Sequence, residues 1–198
     1  EMYNDSATLL QFQAMYHFDI HDFESAKYIY VKYADLCRET VDEEGKGVAY
    51  HQLGRITEEQ FEFNSAQKYY LKALKIDQRI CNKRGVSRIY HQLGKVAGKQ
   101  RDFMTVRKWY IKSLEIKKRL EDKSGIARTY HQLGWNSHQQ NDFRNAMIYY
   151  NKALKNYYNP AIQETDSLKQ KELYKQAADA FLNSHQAMPN RIEPLTPM

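Results

Sequence analysis

Proline is scarce in this chain of 198 residues: there are four, at positions 160, 189, 194 and 197. Nothing before residue 160 therefore interrupts a helix as a pyrrolidine ring does. Glycine is scarce as well, with eight residues, all between 45 and 134. An all-β domain of this length needs many more turn residues, so that class is excluded. Two cysteines, Cys37 and Cys81, cannot build a disulfide framework, and a reducing, cytoplasmic setting is the expectation. No apolar run approaches the roughly 20 residues that cross a bilayer, so no membrane partner is expected. The opening Glu-Met-Tyr-Asn-Asp-Ser lacks the basic start of a signal peptide, and a chain beginning at Glu1 reads as a fragment. Catalytic signatures are missing too: there is no Gly-rich phosphate loop, no Gly-x-Ser-x-Gly, no His-Glu-x-x-His and no Cys-x-x-Cys. The expectation is a protein that is not an enzyme and needs no cofactor.

What is present is a repeat. The pentapeptide Tyr-His-Gln-Leu-Gly stands at 50–54, 90–94 and 130–134, a spacing of 40 both times. Recurrence of five residues at one fixed spacing is not chance. Phe23, Phe63, Phe103 and Phe143 keep the same register, each preceded by Asp or Glu, and Tyr30, Tyr70, Tyr110 and Tyr150 follow seven residues later. Gly45, Gly85 and Gly125 read as joints. Four repeats result, at about 7–46, 47–86, 87–126 and 127–160; the first lacks the pentapeptide.

Each repeat reads as two helices. In the second, Val48, Tyr50, Leu53 and Ile56 recur at helical spacing, and so do Phe63, Ala66, Tyr70, Ala73, Leu74 and Ile76. Asp22, Asp102 and Asp142 are good N-caps for the second helices, and Glu62 a poorer one. Gly54, Gly94 and Gly134 let neighbouring helices approach. No helix pair of this kind buries its apolar face alone, so stacking supplies the core. Asn159-Pro160 should end the eighth helix. A ninth helix, capping the stack within 161–186, and a loose tail at 187–198 complete the reading.

The pattern resembles the tetratricopeptide repeat family. The residues that carry the resemblance are Tyr50…Leu53-Gly54, Tyr90…Leu93-Gly94 and Tyr130…Leu133-Gly134 in the first helices. In the second helices they are Phe63, Ala66, Tyr70, Ala73 and Phe143, Ala146, Tyr150, Ala153. The 40-residue period, against the usual 34 or so, is similar to the subclass found in kinesin light chains, spindle-orientation adaptors and bacterial signalling proteins. The resemblance implies a right-handed α-solenoid of stacked antiparallel helix pairs, four repeats plus a C-terminal capping helix. Its function would be that of a protein-binding scaffold, adaptor or sensor module.

The family's first helices line a concave groove. Mapped here, the groove residues are His51, Gln52 and Arg55, with Val48, Glu58 and Glu59 beside them; then Arg88, His91, Gln92, Lys95 and Lys99; then Arg128, His131, Gln132, Trp135 and His138. Where the family's clamp for chaperone tails uses Asn and Lys, this chain has Gln and His. A ladder of Gln amides can instead bond an extended peptide backbone. The histidine column, His51, His91 and His131, invites a metal reading, but equivalent helices stand roughly 10 Å apart while zinc needs each nitrogen at about 2 Å. No metal site is expected. Trp135 aligns with Arg55 and Lys95, which suggests a contact surface.

Charge is uneven. Residues 1–63 carry a net −8, residues 64–130 a net +13 and residues 131–198 a net +1. Part of the excess falls on Arg88, Lys95, Lys99 and Arg128, and the histidines add charge below about pH 6.5. The expected ligand is a protein or peptide segment, acidic or phosphorylated, drawn to a basic groove. The alternatives are a nucleic acid on the basic middle repeats and head-to-tail self-association of the acidic first repeat with a basic region of another copy.

Overall fold

A computed structural model of the chain describes residues 2–163. The expected tail and nearly all of the expected capping helix lie outside the described residues. Those described form eight helices and the turns between them, with no strand among them. The helices are α1 (Met2–Asp19), α2 (Phe23–Glu39), α3 (Glu43–Glu59), α4 (Phe63–Arg79), α5 (Lys83–Lys99), α6 (Phe103–Arg119), α7 (Lys123–Gln139) and α8 (Phe143–Gln163). From α2 to α8 each starts 20 residues after the last, half the sequence period.

Two devices make that spacing. The first is a left-handed residue between each pair of helices: His21, Val41, Phe61, Cys81, Arg101, Glu121 and Asn141 all have φ between 53° and 62°. Around each, the helix end closes in the Schellman pattern. Asp22 N donates to His17 O at 2.8 Å and His21 N to Phe18 O at 3.0 Å; Asn82 N donates to Asp77 O at 2.8 Å in the same way. The second device is the cap that follows. Asp42, Asn82 and Asp122 accept from the backbone N of Gly45, Gly85 and Gly125 at 2.9, 3.0 and 2.8 Å. These glycines are thus first-turn residues rather than joints. Asp22 and Asp142 cap α2 and α8 through Ser25 N and Asn145 N, at 3.2 and 3.1 Å, whereas Glu62 makes no side-chain cap bond. Pro160 does not end α8, which runs on to Gln163. The ring removes one backbone bond, and the helix continues past it.

The described contacts divide the chain into two bodies, Glu1–Asp102 and Phe103–Met198. In the first, α1 to α5 pack in sequence, each against the next; in the second, α6 packs on α7 and α7 on α8. The core of the first body joins Ala26, Tyr30, Tyr33, Ala34 and Cys37 of α2 to Ala49, Leu53 and Ile56 of α3. Close approach is visible at the pentapeptide glycines. A Cβ on Gly54 would stand 2.6 Å from the Tyr70 ring, and one on Gly134 2.7 Å from the Tyr150 ring. The first repeat uses Ala14, fully buried, at the equivalent place.

Candidate functional site

Every second helix buries one tyrosine of the series Tyr30, Tyr70, Tyr110, Tyr150, and in the second and fourth repeats that tyrosine backs the first helix on which the expected site residues lie. In the first body these residues are on α3 and α5. His51 rests against Tyr70, ring centroids 5.8 Å apart. Its Nε2 is buried without a hydrogen-bond partner. Burial first, then the Arg88 and Arg55 charges, push its pKa down to about 4. His51 is therefore neutral at physiological pH, contrary to the expectation that this column adds charge below about pH 6.5. Arg55 is held in place: Nη1 donates to Gln52 Oε1 at 3.0 Å, and the guanidinium lies 4.5 Å from the Phe18 ring centroid of α1.

Glu58 is buried rather than lining a groove. Its Oε1 meets Lys95 Nζ at 2.9 Å, and its Oε2 accepts from the Tyr70 hydroxyl at 2.8 Å. One carboxylate thus ties α5, α3 and α4 together, and it compensates the charge of Lys95. Arg88 and Lys99 are exposed, and among the described residues neither forms a salt bridge, although the Arg88 charge reaches Asp77 and opposes the rise in pKa that burial gives that carboxyl. Arg88, Gln92, Lys95 and Lys99 follow at intervals of four, three and four, one stripe along α5. Gln92 and His91 are half-buried, while Val48 and Glu59 on α3 are exposed.

In the second body the residues lie on α7. Arg128 and Trp135 are exposed, and Gln132 is half-buried on the same stripe. The His131 ring packs 5.5 Å from Tyr150, the counterpart of His51 on Tyr70. Trp135 sits edge-on to His138 at 6.1 Å, and His138 edge-on to Phe143 at 5.6 Å. His138 stands where the second repeat has Glu58. Its Nδ1 and the Tyr150 hydroxyl are both buried without a partner, so the carboxylate bridge of the first body has no equivalent here. Among the described residues, no three His, Cys, Asp or Glu side chains gather as a metal would require.

Sequence reasoning missed one buried column. Cys37, Asp77 and Lys117 occupy one position in successive repeats, and all are buried. Lys117 Nζ donates to Thr129 Oγ1 at 2.9 Å, and burial lowers its pKa to about 8. Aligning the repeats at a spacing of 40 brings the three into one column, but residue types as different as Cys, Asp and Lys do not signal burial there. Cys37 is buried as a core thiol, its pKa pushed up to about 11 chiefly by burial. Cys81 lies in the turn after α4 and is exposed.

The fold defines a class: proteins built from stacked helix-pair repeats. Sequence models of the tetratricopeptide repeat match residues 47–80 and 85–159. The chain belongs to the tetratricopeptide repeat family, whose members serve as scaffolds for protein–protein interaction and are in general not enzymes. No curated protein matches the sequence. Among solved structures, BtubC (BKLC) from P. vanneervenii is similar at 20% identity and a TM-score of 0.70, over 96% of this chain and 85% of that one. A signal transduction ATPase with numerous domains from Pyrococcus horikoshii, which carries a tetratricopeptide repeat sensor, matches at 16% identity and a TM-score of 0.78. The apo form of RapI matches at 17% identity and a TM-score of 0.72. Each of these two covers 91% of this chain, which spans 26% of the ATPase and 53% of RapI. At such identities the likeness is one of fold. No helix of the described residues is long and apolar enough to cross a membrane.

Proposed function

We propose that the chain is a binding module for an extended acidic or phosphorylated protein segment, held along the exposed stripe of α5. The observation that carries this reading is the α5 stripe, where Arg88 and Lys99 are exposed, form no salt bridge among the described residues and flank the half-buried Gln92 amide. Cations spaced this way attract carboxylate or phosphate side chains, while a glutamine amide both donates to and accepts from a peptide backbone. On α7, Arg128 and Gln132 repeat the pair, and Trp135 adds an exposed aromatic surface of the kind that anchors interfaces. Within each body a histidine backs the buried tyrosine, His51 on Tyr70 and His131 on Tyr150. Lys95 contributes through the fold, because its charge is met by Glu58. A sensor role within a longer signalling protein, as in the Pyrococcus horikoshii ATPase, is compatible with such a module.

The test is a binding screen of the purified chain against arrayed acidic, phosphorylated and neutral peptides, followed by anisotropy on the best binder. Acidic or phosphorylated peptides should dominate, and Arg88→Glu with Lys99→Glu should weaken them at least tenfold. Neutral peptides binding equally well, or unchanged affinity in the double variant, would remove this surface from the argument.

A further inference from the structure

Three interactions join first helices of the first body, and in each the partners are 37 residues apart. The Arg55 guanidinium of α3 lies 4.5 Å from the Phe18 ring centroid of α1. Glu58 Oε1 of α3 meets Lys95 Nζ of α5 at 2.9 Å. The charge of Arg88, on α5, acts on the His51 ring of α3. α3 and α5 therefore run parallel, with Arg55 level with Gln92 and one turn from Arg88. Parallel neighbours roughly 10 Å apart, offset by four residues of about 1.5 Å each, place the Arg55 and Arg88 Cα atoms roughly 12 Å from one another. Two arginine side chains extended towards each other close that gap.

The gap holds two like charges that no salt bridge among the described residues answers. The carboxyls around it are engaged elsewhere: Glu58 with Lys95 and the Tyr70 hydroxyl, and Asp77, which the Arg88 charge reaches, with the Asn82 amide at 3.0 Å. Glu59 stands a turn beyond Arg55 on α3, in water. Beside the two arginines is the half-buried His51 ring, its Nε2 without a hydrogen-bond partner. Burial and these two charges hold its pKa at about 4, so it adds no third charge at physiological pH. Arg55 is fixed before any ligand arrives, by the Phe18 ring and by its bond to Gln52 Oε1 at 3.0 Å. Two cations held together without an anion repel, and a bound anion removes that repulsion.

The chemistry of the gap selects the anion. A guanidinium offers two parallel N–H groups, so one arginine is enough for both oxygens of a carboxylate. A phosphoryl group presents three terminal oxygens and a charge of about −1.5 to −2, which two arginines match. The Gln92 amide, half-buried and level with Arg55, can donate to the third oxygen. We infer that the gap between Arg55 and Arg88 takes the phosphoryl group of a phosphoserine or phosphothreonine in the bound segment. This site rests on the α5 reading and narrows it, from acidic in general to phosphorylated at one position. Lys99 lies roughly 16 Å further along α5 and attracts a second acidic residue of either kind.

Three degenerate heptapeptide pools test it, identical except for phosphoserine, glutamate or serine at the centre, captured on the immobilised chain and quantified by mass spectrometry. The phosphoserine pool should be retained at least tenfold over the glutamate pool. Arg55→Gln and Arg88→Gln should each remove that preference, and Arg55→Lys, which keeps the charge but not the fork, should weaken it severalfold. Lys99→Glu should weaken the phosphoserine and glutamate pools alike and leave their ratio unchanged. Thermal melting of each variant separates lost binding from lost fold, and Arg88→Gln, at an exposed position, decides the matter if Arg55→Gln does not fold. Equal retention of the phosphoserine and glutamate pools, both above serine, overturns the phosphoryl site and leaves the acidic-segment reading standing. Equal retention of all three removes both. A phosphoserine preference that survives both arginine variants places the phosphoryl group elsewhere and overturns the inference. Inorganic phosphate at about 10 mM should displace only a minor part of the phosphoserine pool, because the segment adds contacts of its own. Complete displacement would mean a site for the free ion, and would overturn it too.

Discussion

At the level of single residues, the repeat is held in register by positions that look unremarkable. Seven residues other than glycine adopt a left-handed backbone at intervals of 20. Each L side chain there costs about 1 kcal/mol or more, because Cβ crowds the carbonyl oxygen. Val41 is the most strained by this argument, being β-branched and exposed. Val41→Gly should therefore stabilise the chain by about 1 kcal/mol, seen as a higher urea midpoint with an unchanged slope. An unchanged or lower midpoint would show that the turn has another source of tolerance. Lys117 makes a second case. Its folded pKa of about 8 lies below the 10.5 of a free lysine. The unfolded chain therefore binds more protons between those values, and stability rises with pH across that window. Lys117→Met should gain on the order of 2–3 kcal/mol at pH 7, and its advantage should shrink between about pH 8 and 10.5. Parallel melting curves at pH 7 and 9.5 check this, and a pH-independent difference would mean that the folded and unfolded chains hold the Lys117 proton equally, so that burial does not lower its pKa.

At the level of the helix, the pentapeptide says much. Tyr-His-Gln-Leu-Gly marked α3, α5 and α7, and its glycine marked the close approach to the tyrosine of the next helix. Because a Cβ on Gly54 would come within 2.6 Å of the Tyr70 ring, Gly54→Ala forces the ring or the helix to move. A loss of about 1–3 kcal/mol is expected by chemical denaturation, despite the better helix propensity of alanine. A stabilised variant would refute the packing account. Other features were hidden. The turns carry no glycine at the left-handed position, so no residue type announces them. The Lys95–Glu58–Tyr70 bridge joins residues of three helices through burial, and sequence spacing alone does not bring them together. Small departures break the pattern locally. Gln60 and Gln100 reach back one repeat, to Glu24 at 2.8 Å and Asn64 at 3.0 Å. Met104 stands in the corresponding place of the third repeat, and Gln140 bonds instead to the Asn136 carbonyl of its own helix at 3.0 Å.

For the whole molecule, the repeat and the residues it carries, Tyr50…Leu53-Gly54 and Phe63, Ala66, Tyr70, Ala73 with their counterparts, were enough to read the fold class and family, because the same motif constrains every repeat at once. It was not enough to read the electrostatics of the candidate site. Counting charges makes residues 64–130 a net +13, yet the structure sorts those charges into different kinds. Lys95 is answered by Glu58 and Lys117 is buried, while Arg88 and Lys99 remain exposed and form no salt bridge among the described residues. The two kinds should separate in one experiment. Lys95→Glu sets a second carboxylate against buried Glu58, so it should destabilise the first body by about 2 kcal/mol or more, whatever ligand is present. Lys99→Glu stands in water and should leave the melting temperature within about a degree, since exposed substitutions away from special features shift stability little. Its effect should appear in binding, and salt then identifies the ligand. A peptide that meets two or three cations should lose only several-fold in affinity between 0.15 and 0.5 M salt, whereas a nucleic acid contacting six or more should lose several orders of magnitude. A Lys95→Glu chain that melts like the parent would mean that the Glu58 bridge contributes nothing to the fold. In that case Lys95 would return to the binding surface as a third cation beside Arg88 and Lys99.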